Sequence, residues 1–366
     1  MNFIPVMELS DLRINSHVLV TVGNRPVLLS NYENKISAIG NICLHKAGPL
    51  DKGLVNKREG GYFVQCPWHG WEYNVHNGKA PESFGDQQAV YEVRVEGEKI
   101  LISEKPVIPA SAAKHKDNPL EDLSSLKYET GPGTLNVLGI STTNMHPGIT
   151  RISTSEEALY LALNNCKEQH GAATKLIRLR DLEFRACEGY YSIHERACTW
   201  PCSISEMDPK DGMNEVYRSL VLWADIIFVA TPIRWGNPSS LYFKMCERLN
   251  CVQNQITLHD RILIKNKVAA FLITGGQDNI QQVAGQMSCF FTDLGFALPP
   301  FNFVGWSRGW NAEDMDQNVE EFKKSKYIRR SVNELVTNSV SMSRHMKLVD
   351  YEKMDSPLPK RKDIRD

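Results

Sequence analysis

Cys43-Leu44-His45-Lys46-Ala47-Gly48-Pro49-Leu50 and, a short way on, Cys66-Pro67-Trp68-His69-Gly70-Trp71-Glu72-Tyr73-Asn74 decide how this chain is read. Two thiolates and two imidazoles make a metal-binding donor set. Zinc is one candidate. Cys₂His₂ zinc sites, however, pair Cys with Cys and His with His along the chain, as C-x₂₋₄-C and then H-x₃₋₅-H. Here the order is C-x-H and then C-x-x-H. Both pairs also sit in strand-and-turn sequence, with no helix to present the histidines.

A Rieske [2Fe–2S] centre uses the same four donors differently: two cysteines hold one iron and two histidines the other. Each short pair supplies one ligand of each kind, so two facing loops can clamp a cluster from opposite sides. The two stretches closely resemble the cluster loops of Rieske ferredoxins and of the N-terminal domains of ring-hydroxylating oxygenases. That resemblance implies Cys43, His45, Cys66 and His69 as the metal ligands.

Around the pairs, residues 1–104 read as a small all-β domain. Runs such as Val18-Leu19-Val20-Thr21-Val22, Tyr62-Phe63-Val64 and Ile100-Leu101-Ile102 are bounded by Gly, Asn, Asp and Pro. Residues 105–132 shift to Pro, Ala and charge and read as a linker. From 133 to 348 the pattern alternates. Strands are expected at Thr134–Ile140, Lys175–Arg180, Ile226–Thr231, Val268–Thr274 and Pro300–Val304. Helices are expected at Ser155–Glu168, Asn214–Ala224, Ser240–Leu249 and Gln281–Leu294. Such alternation implies a parallel sheet covered on both faces. Ala312 to Leu348 is helix-compatible, as a surface helix or a dimer contact, and 349–366 reads as a tail.

The whole chain sets further bounds. Its 366 residues suit two domains, and 42% hydrophobic with 23% charged residues is ordinary for a globular protein. A formal net charge of −1 gives no general argument for nucleic acid or membrane. No apolar run approaches the ~18 residues that span a bilayer. Met1-Asn2-Phe3-Ile4-Pro5 lacks the pattern of a signal peptide. Nine cysteines without a disulfide-like framework make the cytoplasm the expected compartment.

Three strand-to-helix loops of the second domain resemble the flavin-binding loops of the NAD(P)H-dependent FMN reductase family. The first runs from Ser141-Thr142-Thr143-Asn144 to Ser153-Thr154-Ser155, with Met145-His146-Pro147-Gly148-Ile149 as an apparent insertion. Hydroxyls and amides at a helix N-terminus suit a phosphate, although Ser155 could equally be a helix cap. The second is Thr231-Pro232-Ile233-Arg234-Trp235-Gly236-Asn237, and the third is Thr274-Gly275-Gly276-Gln277. The resemblance implies a flavodoxin-like five-stranded sheet of order 2-1-3-4-5. It also implies FMN phosphate on Ser141, Thr143, Ser153, Thr154 and Ser155, and the isoalloxazine framed by the other two loops. Trp235 could pack near the flavin or fill the base of its loop. No catalytic residue is assigned. The G-x-G-x-x-G and Walker A patterns are both absent.

Related iron–sulfur flavoproteins carry a compact four-cysteine motif near Cys187, Cys198 and Cys202. Only three thiols fall locally here, so the stretch reads as a loop with small buried thiols. A second cluster would need a fourth ligand from Cys166, Cys246, Cys251, Cys289 or His194. A Rieske oxygenase would also need a mononuclear iron site of two histidines and a carboxylate. Outside the cluster loops no two histidines lie within five residues of each other, which argues against that activity.

A nicotinamide gives two electrons together, a [2Fe–2S] centre takes one, and a flavin mediates between them. The expected order is therefore NAD(P)H, FMN, Rieske centre, and then a protein or small-molecule acceptor such as an oxygenase component, with the chain a homo-oligomer. Two alternatives stay open. One is a flavoenzyme acting on a small substrate with the Rieske domain as electron entry. The other is an electron carrier or redox sensor without nicotinamide chemistry.

Overall fold

The computed structural model describes residues 1–81, 85–112, 133–145, 152–192, 198, 200–208, 210–259, 261–275, 279–309 and 317–348. The chain divides into two units. One comprises Met1–Asn118 with Glu188–Pro209, and the other Pro119–Cys187 with Lys210–Asp366.

The first unit is all-β, as its turn-punctuated runs predict. Strands β1 (Phe3–Glu8), β9 (Val93–Glu96) and β10 (Lys99–Ser103) form one sheet in the order β1-β10-β9. Strands β2 (Ser16–Val22), β3 (Arg25–Tyr32), β4 (Lys35–Gly40) and β8 (Val90–Tyr91) form a second. A third sheet, β5 (Leu54–Arg58), β6 (Gly61–Gln65) and β7 (Glu72–Asn74), carries the second pair of metal-ligand candidates, and the first pair follows β4. Pairing is antiparallel throughout. The 43–50 loop leads from β4 towards β5, and the 66–71 loop joins β6 to β7.

The expected linker does not begin at 105. Ile108 bridges Val90 and Ser111 bridges Gln87, with the Val107 and Ile108 amides donating to the Val90 carbonyl at 2.8 and 3.2 Å. Pro106 and Pro109 read as breakers, but proline is tolerated where a segment pairs along a sheet edge. The rest of the expected linker, 113–132, lies outside the described residues, as does the tail 349–366.

The second unit holds five parallel strands: β11 (Asn136–Ser141), β12 (Ala173–Arg178), β13 (Ile226–Pro232), β14 (Val268–Gly275) and β15 (Phe303–Ser307). Their order is β12-β11-β13-β14-β15, which is 2-1-3-4-5 in chain sequence. β11 and β13 are buried along their whole length, as strands covered on both faces must be. Helices Thr154–His170, Ser240–Arg248 and Ile280–Asp293 follow β11, β13 and β14. β15 starts three residues later than expected, because Pro299 and Pro300 have no amide to donate to the ladder. The helix expected over 214–224 is α-helical only from Met213 to Tyr217 and then widens into a π-type turn, Arg218–Trp223. The C-terminal helix Lys326–Leu348 buries Ile328, Val332, Leu335, Val336 and Val340 against the sheet core, so its apolar stripe is spent within its own unit.

At the amino ends of the strands lies a buried charge network. Asp225 Oδ2 accepts from the Asn136 amide at 2.8 Å and pairs with Lys347 Nζ at 3.0 Å. Lys267 Nζ donates to the Ala224 carbonyl. Burial pushes the Lys267 ammonium down to about 8, with Asp225 opposing and Lys347 reinforcing the shift. The folded value lies below the ordinary 10.5. Between the two, the unfolded chain therefore holds a proton that the folded chain has released, and stability rises with pH. The burial penalty is full below pH 8 and relieved towards pH 10.5, a span of roughly 3 kcal/mol at 1.36 kcal/mol per unit. The urea midpoint of the wild type should therefore climb relative to that of Lys267→Met from pH 8 to 10. Parallel pH profiles would contradict the assignment.

Candidate cluster and flavin sites

The two ligand loops fold alike. In the first, the Cys43 amide donates to the Gly48 carbonyl at 2.9 Å and the Ala47 amide returns to the Cys43 carbonyl at 3.0 Å. In the second, the Cys66 amide donates to the Trp71 carbonyl at 2.7 Å and the Gly70 amide returns to the Cys66 carbonyl at 2.9 Å. Both turns need a left-handed residue four positions after the cysteine: Ala47 at φ 62 and Gly70 at φ 74. Gly48 lets the loops close, since a Cβ there would lie 2.6 Å from Cys66 Sγ.

This folding gathers all four predicted donors. Cys43, Cys66 and His69 are buried, and His45 nearly so. The His45 and His69 rings meet edge to face at 4.8 Å. Trp71 stacks on His45 at 4.3 Å, nearly parallel, and is pinned by its Nε1 donating to Asp86 Oδ2 at 2.6 Å. The thiols form no disulfide but hydrogen-bond to each other. That bond, with burial adding to it, pushes Cys43 far above the ordinary thiol range, and it holds Cys66 below that range against burial. Without a cation, one of the pair must keep its proton. Tyr73 Oη accepts from the Leu44 amide at 3.1 Å and lies 3.8 Å from Cys43 Sγ, placed to donate to a thiolate.

These donors fit an iron–sulfur cluster. His45 Nδ1 is buried with no hydrogen-bond partner, and His69 Nδ1 is likewise sealed from solvent. A buried neutral nitrogen left this way costs about 1–3 kcal/mol unless something takes its lone pair.

In the second unit, the three predicted loops stand side by side at the carboxyl ends of β11, β13 and β14. β11 and β13 are neighbours in the sheet but not successive in the chain, which makes their carboxyl ends a topological switch point. Loop residues divide into those that build the loops and those that face outward. Ser141 Oγ donates to the buried Glu156 at 3.4 Å, and Thr231 Oγ1 donates to the Pro232 carbonyl at 3.2 Å and accepts from the Ser239 amide at 3.1 Å. Both hydroxyls serve the loop itself. Ser153 and Ser155 bond to each other at 2.9 Å, and Ser153 precedes the helix without a side-chain cap bond. Thr143 Oγ1 accepts from the Met145 amide at 3.4 Å.

In the second loop the Arg234 and Asn237 amides and carbonyls exchange bonds at 2.7 and 3.0 Å. Trp235 and Gly236 form the tip of this tight turn, at φ 51 and 72. Trp235 is 92% exposed, so it does not fill the loop base. A bulky side chain in a left-handed conformation with nothing beneath it suits stacking on a planar ligand. The Ile233 amide donates to the Thr274 carbonyl at 2.8 Å, joining the second loop to the third. Of the third loop, Thr274 and Gly275 end β14, whereas Gly276 and Gln277 lie outside the described residues, as does most of the 145–149 insertion.

Sequence reasoning missed several residues. Thr142 ties the first loop to the second through the Ala230 carbonyl and Ser239. Arg178 and Arg180 pair with Glu156, and Arg180 also reaches the Met145 carbonyl at 3.4 Å. Arg180 also pairs with Asp181 at 3.5 Å, so two arginines and two carboxylates gather beside the expected phosphate. The two arginines at the end of a predicted strand were the available signal. Cys187 lies in the second unit and Cys198 and Cys202 in the first. All three are partly exposed, not buried as expected.

A family profile for the Rieske [2Fe–2S] domain matches residues 2–104, and one for NADPH-dependent FMN reductase matches 135–311. The ferredoxin component of the naphthalene 1,2-dioxygenase system of Pseudomonas aeruginosa is 31% identical over 84 residues, 23% of this chain and 77% of that protein. The chloroplastic chlorophyllide a oxygenase of Arabidopsis thaliana is 37% identical over 72 residues, 19% of this chain but 13% of that one. Among solved structures, RosB with a bound 8-demethyl-8-formylriboflavin-5′-phosphate intermediate covers 62% of this chain and 90% of its own. It does so at 20% identity with a TM-score of 0.46.

Replacing Cys43 by Ser or His69 by Ala should abolish the electron paramagnetic resonance (EPR) signal of the cluster and leave flavin absorbance intact. Joint loss of both cofactors would contradict the independence of the two sites.

Proposed function

With residues 2–104 belonging to the Rieske [2Fe–2S] domain family and 135–311 to the NADPH-dependent FMN reductase family, we propose that this oxidoreductase takes electrons from NAD(P)H. On this reading it delivers them through FMN and the Rieske centre to an acceptor, with an oxygenase component as the partner class. When bound, FMN accepts a hydride and gives its electrons up singly, and the cluster carries one at a time. The observation that carries the reading is the pairing, on one chain, of four converging Cys and His donors with three flavin-type loops at a switch point.

The chain's own residues divide the work. Cys43 and Cys66 would hold one iron, and His45 and His69 the other. Trp71 fixes the plane of the His45 ring, and Tyr73 donates towards the Cys43 sulfur, a bond that raises a cluster's potential by stabilising the electron-rich form. Thr143, Ser153, Thr154 and Ser155 offer hydroxyls or amides to the FMN phosphate, with Arg180 balancing its charge. Ser141 and Thr231 hold the loops in shape. Pro232, Ile233, Arg234, Gly236, Asn237, Thr274 and Gly275 would frame the ring, and Trp235 would stack on it. An odd cysteine count without a disulfide-like framework favours a reducing compartment, the cytoplasm. A homo-oligomer remains part of the proposal. Among the described residues no helix is long and apolar enough to cross a membrane.

Anaerobic mixing with NADPH or NADH tests the direction of flow. Flavin absorbance should bleach first, and a Rieske-type EPR signal should follow. Failure of both nucleotides to bleach the flavin would overturn the proposal. Trp235→Ala should lower FMN retention on gel filtration by about tenfold, the ~1.4 kcal/mol expected of one aromatic stacking contact. Unchanged flavin content would remove Trp235 from the site.

A further inference from the structure

Residues 188–209 fall within the stretch matched by the reductase profile, yet they fold with the Rieske unit. The Rieske profile ends at residue 104, so the domain receives a segment from outside its own family boundary. That segment lands on the cluster loops. Tyr190 Oη accepts from Gln65 Nε2 at 3.0 Å, just before Cys66. It also lies so close over Gly70 that any side chain there would collide with it. Met207 is buried in the same apolar cluster as Cys43, Cys66, Trp71 and Tyr73. Between these footholds, Glu206 Oε2 comes to 3.0 Å from His45 Nε2, with the side chains 11% and 6% exposed. The contact is an ion-pair approach rather than an aligned hydrogen bond.

We propose that residues 188–192 and 200–208 are a built-in cap on the histidine end of the cluster, with Glu206 as the positioning residue for His45. Three neighbours define that ring. Trp71 covers one face, His69 abuts it, and Glu206 sits at Nε2, leaving Nδ1 as the nitrogen without a partner. A carboxylate beside one ring nitrogen orients the ring and leaves the other nitrogen to face a metal. An anion so placed favours the oxidised cluster and lowers its potential. Glu206 closes the Nε2 edge of His45, so an acceptor protein does not touch that edge in this arrangement.

The inference rests on the Rieske reading of the four donors, and its test separates the two. The full-length protein with both cofactors bound is compared as wild type, Glu206→Gln and Glu206→Asp. Iron and FMN contents check loading, and EPR-monitored titration gives the g-values and potential. Glu206→Gln should shift the potential upward and alter the g-values, with Glu206→Asp nearer the wild type. Iron lost from Glu206→Gln but kept in Glu206→Asp would support the same role, because Asp keeps the carboxylate that Gln loses. An identical potential and spectrum in wild type and Glu206→Gln would overturn the cap's role. A wild type without any Rieske signal would overturn the ligand reading itself, and the inference with it.

Discussion

Two buried thiols in contact, facing two buried imidazoles, form the constraint on which the Rieske unit depends. Such donors cannot all be satisfied by one another. The thiols share a proton unevenly, and His45 keeps a nitrogen without a partner. Cationic iron resolves every one of these frustrations at once, and metal binding of this kind is also folding free energy. The rest of the unit serves that end. Matched turns set the cysteines, Trp71 and Asp86 fix one histidine ring, and the β5-β6-β7 sheet holds the two loops opposed.

The second unit works by a different economy. Its buried charged residues gather at the amino ends of the strands, while the carboxyl ends carry loops rich in hydroxyls, glycine and an exposed indole. Several of those hydroxyls are engaged in holding the loops together. A flavin site of this type needs preformed loops whose backbone amides are free to bond the ligand, so hydroxyl bonds within the loops are part of the site's construction.

What could be read from the residues alone was local or periodic. The Cys–His pairs lie within nine residues of loop each, and the β/α alternation is legible because buried parallel strands are continuously apolar. Non-local pairings were not legible. Glu206 reaches His45 and Tyr190 reaches Gln65 across more than a hundred residues, and nothing in the composition of 188–209 marks it as part of the first unit. Residues 106–111 misled for a related reason: proline signals a break in the chain but does not say whether its neighbours still pair along an edge. The exposure of Trp235 depends on a two-residue turn with both φ angles positive, which Trp-Gly does not announce as Asn-Gly would.

Together the two sites make one account: a chain that holds a two-electron and a one-electron centre and lets them exchange charge. Anaerobic reductive titration of the purified protein tests this most directly, by counting electrons. The account predicts about three equivalents per chain, two for FMN and one for the cluster, with the Rieske EPR signal growing as flavin absorbance falls. Uptake of about two equivalents with no EPR signal, or of about one with no flavin change, would contradict it.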